Sequence, residues 1–199
     1  MSSTQPDTRR RILKATLELL EAGQGQGVRM ADVAKRAGVS RQAVYLHFES
    51  RAELLIQTTL YLDDIAGSQE RLAPSREATT GVARLDAFIK AWASYLPIIY
   101  PSARALLAMR ETDEDAADAW DQRMLDMREG CEAAVLALQR DGQLNPAHAP
   151  QEATDLLWML LSVRNWEQLT RTSGWSQDTY VAKVQSTAHQ LLVLQKASK

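Results

Sequence analysis

The sequence predicts an all-α protein, on three observations. Of its 199 residues, 29 are Ala and 26 are Leu, which are strong helix formers, whereas only 10 are Val and 6 are Ile, which favour strands. Gly and Pro, the residues that interrupt helices, number only 9 and 6. Apolar residues recur at steps of three and four along most of the chain, the period of a helix face. This composition argues against a β-sandwich, a doubly wound α/β enzyme and a disordered chain.

The first part of the chain divides into four predicted helices. They cover residues 7–22, 30–37, 41–48 and 51–72. Gly23, Gly25 and Gly27 interrupt the apolar stripe of the first helix. Ser40 and Ser50 stand at the starts of the third and fourth helices, where a serine side chain is a good N-cap.

The rest of the chain is predicted to be helical after a loop at residues 74–81, which is rich in Ser, Thr and Pro. The five further helices are predicted over residues 82–96, 102–110, about 116–141, 151–171 and 177–195. Pro97 is expected to end the first of these, and Pro101 precedes the second. The sequence at residues 112–115 resembles a capping box for the third, which Gly142 stops.

Residues 30–49 carry the most informative pattern, two short helices joined by a tight turn. Ala34 is small enough for the second helix to cross closely over the first, and Gly38 can adopt the positive φ that the turn requires. Four apolar residues are spaced to close a small core between the two helices: Val33, Ala37, Val39 and Val44. Because the second helix is otherwise polar, the pattern predicts a helix-turn-helix, a DNA-binding motif, rather than an ordinary helical hairpin.

The balance of basic and acidic residues differs between the N-terminal segment and the rest of the chain. Through residue 55 the chain has nine basic and six acidic residues, whereas the remainder has 14 basic and 19 acidic ones. A basic segment on an acidic body is typical of a small nucleic-acid-binding module attached to a different kind of domain. We therefore predict an N-terminal three-helix DNA-binding domain at residues 7–55 and a C-terminal helical bundle at residues 56–195.

Five short stretches of the N-terminal segment match a known family. They are Arg11-Ile12-Leu13, Asp32-Val33-Ala34, Ala37-Gly38-Val39-Ser40, Tyr45-x-His47-Phe48 and Glu49-Ser50-Arg51-Ala52-Glu53-Leu54-Leu55. In these residues the chain resembles the tetracycline-repressor (TetR) family of bacterial transcription regulators, over about residues 9–56. The rest matches only in architecture, several more helices ending in a long antiparallel pair. The family usually has Thr where Arg29 stands, so the second helix is expected to lack a side-chain cap. It also commonly has Gly-Thr at Gln42-Ala43 and Lys at Arg51.

The resemblance implies which side chains contact DNA, and their chemistry agrees. Arg41 and Gln42, near the start of the second motif helix, are expected to reach base edges, where Arg pairs with guanine and Gln with adenine. Tyr45 lies one turn further on and is expected to touch a thymine methyl group or a phosphate. The expected contacts to the DNA backbone are Ser40, His47 and Arg51.

Three consecutive basic residues, Arg9, Arg10 and Arg11, precede the motif. They either follow the adjacent DNA backbone or minor groove, or form a solvated basic start to the first helix.

The sequence predicts no enzymatic activity, no cofactor and no metal. It contains no HExxH, no paired cysteines, no P-loop and no GxGxxG, and its three His lie in separate segments. Cys131 lies on an apolar stripe and is expected to be a buried structural thiol. The acidic residues between 111 and 121 either bind a cation or form a solvated helix start, and the helix dipole favours the second interpretation.

All five Trp lie in the C-terminal body. Because TetR-family members place a ligand pocket among these helices, the resemblance implies an effector pocket, although a stripe of Met and aromatic residues is also typical of ordinary core. The expected lining residues are Trp92, Tyr95, Trp120, Met124 and Met127. Such flat and polarizable side chains suit a small, mostly apolar or aromatic effector.

The last two predicted helices are apolar over a wide arc. A helix of this kind must be covered both by its own subunit and by a second one. The expected dimer-interface residues are Leu156, Leu160, Leu161, Val184, Ala188 and Leu191. Two such helices from each chain would form a four-helix interface with two-fold symmetry.

The predicted function is sequence-specific DNA binding by a transcriptional regulator, a ligand-responsive homodimeric repressor on a palindromic operator in duplex DNA. The alternative is a helical small-molecule-binding or adaptor protein that has lost DNA binding. The longest apolar run, residues 156–161, is far too short for a bilayer span of about 20 residues. The N-terminal stretch lacks the apolar core of a secretory signal, and a single cysteine forms no disulfide within the chain. We therefore expect a cytoplasmic protein with no membrane partner.

Overall fold

The fold is helical, which confirms the predicted class. A computed structural model describes residues 4–23 and 27–195, with side chains from residue 7 onward, so Gly25 lies outside the described residues. The described helices are α1 (Thr4–Ala22), α2 (Met30–Ala37), α3 (Arg41–His47), α4 (Arg51–Ile65), α5 (Ser68–Arg76), α6 (Gly81–Met109), α7 (Glu114–Arg140), α8 (Pro150–Leu160), α9 (Val163–Glu167), which continues into a π-helical turn (Gln168–Thr172), and α10 (Gln177–Leu192). None of these helices is both long enough and apolar enough to cross a bilayer.

The chain folds into two compact units. The first comprises the residues up to Gly67 together with Ile98–Met124, and the second comprises Ser68–Pro97 and the residues from Leu125 onward. Helices α6 and α7 therefore each contribute residues to both units. The functional division expected between residues 55 and 56 stays a prediction.

In the first unit, α1 to α4 enclose a small apolar core. Ile12, Val33, Val44 and Leu54 come one from each helix, and all four are fully buried. At about 25 cal/mol per Å² of buried apolar surface, each contributes on the order of 2 kcal/mol. The sequence around these positions therefore folds the predicted helix-turn-helix against α1 and α4, and Phe48, 1% exposed, closes the same core.

The turn of the motif has the predicted geometry. Gly38 ends α2 with φ 66°, a conformation that side chains with a Cβ rarely adopt, and its N–H donates to the carbonyl of Lys35. Ser40 then caps α3 by accepting a hydrogen bond from a backbone N–H at 3.1 Å, and Ser50 caps α4 in the same way at 3.0 Å. The expected missing cap of α2 is also confirmed, since Arg29 makes no side-chain cap.

The helix predicted over residues 51–72 is wrong in its length. α4 ends at Ile65, and Gly67 adopts φ 67° before α5 begins. A glycine in the left-handed region ends a helix readily, whereas apolar residues spaced at helical intervals on both sides of it favour one continuous helix. The loop predicted at residues 74–81 is correspondingly shorter, because α5 continues through Pro74.

α6 continues through Pro97, where the sequence predicted a helix end and a second, separate helix. Pro97 has no N–H, so the carbonyl of Ala93 in the preceding turn loses its usual helical partner. Gln177 of α10 supplies the missing bond, since its Nε2 donates to the Ala93 oxygen at 2.7 Å. The Gln177 Oε1 accepts in turn from the Trp166 indole N–H at 2.9 Å. A side chain 80 positions away along the chain from Pro97 thus keeps α6 continuous.

The single helix predicted over residues 151–171 is interrupted between α8 and α9. Ser162 has an extended backbone and caps α9, its Oγ accepting from the backbone N–H three residues on at 3.2 Å. The Leu161 carbonyl at the break accepts from the Trp92 indole N–H at 2.9 Å. Both bonds satisfy backbone groups that a helix end leaves open.

α7 begins with a different cap from the predicted capping box. Asp113 caps the helix, because its Oδ1 accepts from the Ala116 N–H at 3.3 Å, whereas the Thr112 hydroxyl donates to a carbonyl of the preceding turn. Further along α7, in the second unit, Gly130 faces Phe88 of α6. A Cβ at Gly130 would lie 2.6 Å from the Phe88 ring, so this position admits only glycine without a shift.

Candidate nucleic-acid interface

The exposed face of α3 carries the residues predicted to reach DNA bases. Arg41, Gln42 and Tyr45 are exposed, whereas Val44 and Phe48 turn into the core. The Arg41 guanidinium lies over the Tyr45 ring, with its carbon 5.6 Å from the ring centroid, and its Nη2 donates to the Tyr45 hydroxyl at 3.4 Å. This contact holds an arginine and an aromatic ring together on the surface of α3.

Leu46 belongs to the same helix surface and was missed in the sequence. It is 79% exposed, more than any other large apolar side chain among the described residues. The available signal was its register, because it lies midway between the buried positions Val44 and Phe48 and so on the opposite side of the helix. His47 is half-buried, with its ring centroid 6.5 Å from that of Phe48. Ser40, the residue that caps α3, is exposed.

The three N-terminal arginines have different surroundings. Arg11 donates from Nη2 to the carbonyls of Ala37 and Gly38, at 2.7 and 3.3 Å, and so satisfies the end of α2. Arg9 lies over the Phe48 ring and donates to a side-chain amide of α4 at 2.8 Å. Arg10 is exposed. Two of the three therefore make contacts that hold the motif against α1, and their expected DNA contact stays a prediction.

Arg51 is surrounded by acceptors of the protein itself. Its Nη1 and Nη2 form two parallel bonds of 2.7 Å with the two carboxylate oxygens of Asp113, and Nη1 also donates to Asp115 at 3.0 Å. Its Nε donates to the Val28 carbonyl at 2.5 Å. The Asp113 hydrogen bond raises the pKa of Arg51, and the same bond lowers the pKa of Asp113 below its ordinary value, so both stay charged. The expected contact of Arg51 with the DNA backbone stays a prediction, and in this conformation a carboxylate stands where a phosphate was expected.

An open groove of about 490 Å³ in the first unit is lined both by Arg41 of α3 and by the Arg51–Asp113 pair. Three of the residues that line it are arginines, Arg29, Arg41 and Arg51, and Asp113 lines it as well. Arg29 was not among the predicted DNA contacts. Its side chain is 80% exposed and its Nε donates to Asp32 at 2.7 Å. Basic side chains around a groove beside the exposed face of α3 suit the negatively charged backbone of a nucleic acid.

Several of the acidic residues between 111 and 121 are paired with arginines. Asp113 and Asp115 pair with Arg51, and Asp121 pairs with Arg110 at 2.9 Å. Among residues 7–23 and 27–195, no three metal-ligating side chains are grouped to hold an ion. Cys131 is fully buried, as expected for a structural thiol, and burial raises its pKa.

The residues expected to line an effector pocket are divided between the two units. Trp92, Tyr95 and Met127 belong to the second unit, whereas Trp120 and Met124 belong to the first. Trp92 and Tyr95 meet edge to face with ring centroids 6.0 Å apart, and both are buried. The pocket itself stays a prediction.

One buried hydroxyl in the second unit lies outside the set of predicted pocket residues. Among the described side chains, Tyr180 of α10 has a buried hydroxyl without a hydrogen-bond partner. Burial raises the pKa of Tyr180, so this group is a neutral donor at ordinary pH.

The expected dimer residues fall into two groups. Leu161, Val184 and Ala188 are buried within the chain itself and so belong to the core of the second unit. The side chains that stay partly exposed are Leu156, Leu160 and Leu191, and Met159, which was not predicted, is 51% exposed. The interface itself stays a prediction, and these four side chains offer apolar surface to it.

The geometry of α2 and α3 defines a class of protein, the helix-turn-helix DNA-binding regulators of transcription. Two short helices meet at a left-handed glycine, and the second presents arginine, glutamine and tyrosine to the outside. The particular family follows from the sequence around this motif. Residues 12–58 match the family of bacterial regulatory proteins, tetR family, so this segment belongs to it, and the predicted TetR-family resemblance is confirmed.

Known proteins resemble this chain in sequence over the region of the motif, and in structure over nearly its full length. Over 54 residues the chain is 41% identical to nucleoid occlusion factor SlmA of a Marinomonas species, a match that covers 27% of each chain. Over 96% of the chain, the fold is similar to that of NalD, the secondary repressor of the MexAB-OprM multidrug efflux pump in Pseudomonas aeruginosa, with a TM-score of 0.70, 22% identity and 98% of that chain covered. A protein from Saccharomonospora viridis, solved in complex with choline, has a TM-score of 0.73 at 17% identity, covering 96% of this chain and all of its own. Together with the family match at residues 12–58, these similarities show a TetR-type fold over 96% of the chain.

Proposed function

We propose that this chain acts as a homodimeric repressor that binds a palindromic operator and releases it when a small, mostly apolar or aromatic effector binds. The observation that carries the proposal is the exposed face of α3, where Arg41, Gln42, Tyr45 and Leu46 have no core to face. A surface helix that no longer contacted DNA would have no reason to keep these side chains together.

Three of these side chains match groups that bases present in the major groove. Arg41 can pair with the two acceptors of guanine, and Gln42 with the donor and acceptor of adenine. Leu46 offers apolar surface to a thymine methyl group. Ser40 and His47 flank this face and are placed to hold the phosphate backbone.

The dimer follows from the length of α3. Its seven residues span about 10 Å and contact only a few base pairs, so one copy offers little specificity. A two-fold dimer doubles the contact area and requires a palindrome. The partly exposed apolar side chains of α8 and α10 are the surface that we assign to this contact, with Leu156, Leu160 and Leu191 at its centre.

Effector binding is assigned to the helical body. Trp92 and Tyr95 supply aromatic surface in the second unit, and the unpartnered Tyr180 hydroxyl there is a donor for one polar atom of a ligand. The similar protein from Saccharomonospora viridis was solved with choline, which supports binding of small molecules by this fold. We assign the protein to the cytoplasm, and we keep the prediction that it catalyses no reaction.

Two other functions have less support from these observations. A helical ligand-binding or adaptor protein without DNA binding accounts for the body but not for the polar surface of α3. The second is nucleoid occlusion, the role in the name of SlmA. That relative matches this chain only within the DNA-binding segment, over 27% of its own length. That match supports a shared way of contacting DNA.

Selection from a pool of random duplexes at low salt tests the proposal. We expect a palindromic consensus bound by two chains, and a Gln42→Ala variant that loses preference at particular base pairs by about 1–3 kcal/mol. Gln151→Ala, which removes an exposed glutamine from the second unit, is the matched control and should keep the full preference. Enrichment of no sequence by the wild-type protein would refute sequence-specific regulation.

Leu46 has its own test on the selected operator. Replacing single thymines by uracil removes one methyl group at a time, and one position should weaken binding by the wild-type protein about threefold to tenfold. In a Leu46→Ala variant the same replacement should have little effect. Equal losses in both proteins would show that Leu46 does not contact a methyl group.

A further inference from the structure

We propose that Asp113 and Asp115 compete with the DNA backbone for Arg51, and so limit how tightly this protein holds duplex DNA. The inference rests on the DNA binding proposed above. Neither carboxylate belongs to the helix-turn-helix, since the two lie 62 and 64 positions further along the chain, at the start of α7.

Asp113 engages Arg51 as a phosphate would. The two bonds of 2.7 Å from Nη1 and Nη2 form the fork that guanidinium offers to carboxylate and phosphate alike. With the bonds to Asp115 and to the Val28 carbonyl, four of the five N–H groups of Arg51 are in use. A phosphate that approached Arg51 would find one free donor and two negative charges beside it. The carboxylates and the DNA backbone therefore exclude one another at this side chain.

The pair lies where a nucleic acid can reach it. Arg51 and Asp113 line the same open groove as Arg41 of α3 and the exposed Arg29. Gly27 adjoins the pair, because a Cβ there would lie 4.0 Å from an Nη of Arg51 and 4.0 Å from an oxygen of Asp113. The Arg51 and Asp113 side chains are each 20% exposed. The competition thus takes place at the edge of the proposed DNA interface, within the first unit.

Neutralising both carboxylates should release Arg51 to a phosphate. One added phosphate contact steepens the dependence of log affinity on log salt by about 0.9. At about 0.1 M salt we expect affinity for any duplex, operator or random, to rise about threefold to tenfold, because the backbone carries no sequence information.

The experiment compares the Asp113→Asn, Asp115→Asn double variant with the wild-type chain. Asparagine is chosen because it also caps a helix and so preserves the bond that Asp113 accepts from Ala116. Binding of a fluorescent duplex is measured by anisotropy from about 50 to about 300 mM salt. Glu114→Gln is the matched control, since it removes an exposed charge from the same turn without touching Arg51. The Asp115→Asn single variant keeps the cap and the bidentate pair, and should show a smaller gain in affinity.

An Arg51→Gln background completes the test, because the gain from neutralising the carboxylates should disappear there. The competition is refuted if wild-type protein binds duplex DNA and the double variant gains neither affinity nor salt slope. It is equally refuted if Glu114→Gln gives the same gain, or if the gain survives in Arg51→Gln. Each of these results leaves the proposed function standing. If neither the wild type nor the double variant binds any duplex, both the proposed function and this inference fail.

Discussion

Replacing Gln177 with Leu should destabilise the second unit far more than the loss of an ordinary surface amide. Gln177 joins two groups that have little access to water, the carbonyl of Ala93 and the indole N–H of Trp166, which is 2% exposed. The Ala93 carbonyl has no helical donor because residue 97 is proline. The variant therefore leaves two buried polar groups without partners.

The magnitude follows from these two groups. A buried donor or acceptor left unsatisfied costs about 1–3 kcal/mol, so the loss of both bonds in Gln177→Leu should lower the free energy of unfolding by about 2–6 kcal/mol. Replacing Pro97 by Ala restores an N–H that can donate to the Ala93 carbonyl. In a Pro97→Ala background the same Gln177 substitution should therefore cost about 1–2 kcal/mol less.

Urea unfolding, followed by circular dichroism, is measured for the wild type, Gln177→Leu, Pro97→Ala and the double variant. The cost of the Gln177 substitution is then compared between the wild-type and Pro97→Ala backgrounds. Gln185→Leu is the matched control. Gln185 also lies on α10 and donates to a carbonyl of α6, that of Asp86, at 3.2 Å. That carbonyl keeps its regular helical donor four residues on, so this loss should cost less than about 1 kcal/mol. Equal losses from the two glutamines, or a Gln177 loss that is unchanged by Pro97→Ala, would refute the reasoning.

Three further predictions concern packing, acid stability and thiol reactivity. Gly130→Ala should lower stability by about 1–3 kcal/mol despite the helix preference of alanine, because its Cβ would meet the Phe88 ring at 2.6 Å. Adding Phe88→Leu should recover much of this loss in thermal unfolding, and a neutral Gly130→Ala variant would contradict it. The lowered pKa of Asp113 means that its ion pair contributes fully above the ordinary aspartate value and is lost as pH falls through the folded value. The stability difference between wild type and Asp113→Asn should thus be constant above about pH 5 and shrink toward about pH 3, and a difference that grows in acid would be inconsistent with this. Cys131, fully buried and with a raised pKa, should react with a thiol reagent at about pH 8 at least about 100-fold more slowly in the native chain than in urea, and similar rates would contradict its burial.

The features predicted correctly from the sequence have causes within a few residues. Gly38 turns the chain because a left-handed φ is accessible to glycine, and Ser40 and Ser50 cap the next residues through their own backbone neighbours. The burial of Val44 and Phe48 and the exposure of Gln42 follow from the register of one short helix. Such signals lie inside a single window of the sequence, so the motif and its exposed face could be predicted together.

The errors in the helices have causes outside the local window. A proline ends most helices, but at Pro97 the freed carbonyl of Ala93 accepts a hydrogen bond from Gln177 of another helix. The helix predicted over residues 151–171 breaks where Trp92 donates to the Leu161 carbonyl and Ser162 caps a new start. Half of the expected dimer residues are core for a similar reason, since an apolar stripe does not state which neighbour covers it.

The helical class, the helix-turn-helix and the side chains that α3 presents to solvent were all predictable from local sequence, because helix propensity, capping and a glycine turn act between near neighbours. The pairing of Arg51 with the carboxylates of Asp113 and Asp115 is visible only in the folded chain. Arg51 was predicted from the sequence to contact the DNA backbone, yet Asp113, which accepts hydrogen bonds from two of its nitrogens, lies 62 positions away in the acidic run between residues 111 and 121. Charge pairing of this kind depends on distance in space, and distance in space is set by the packing of whole helices, which no local pattern contains.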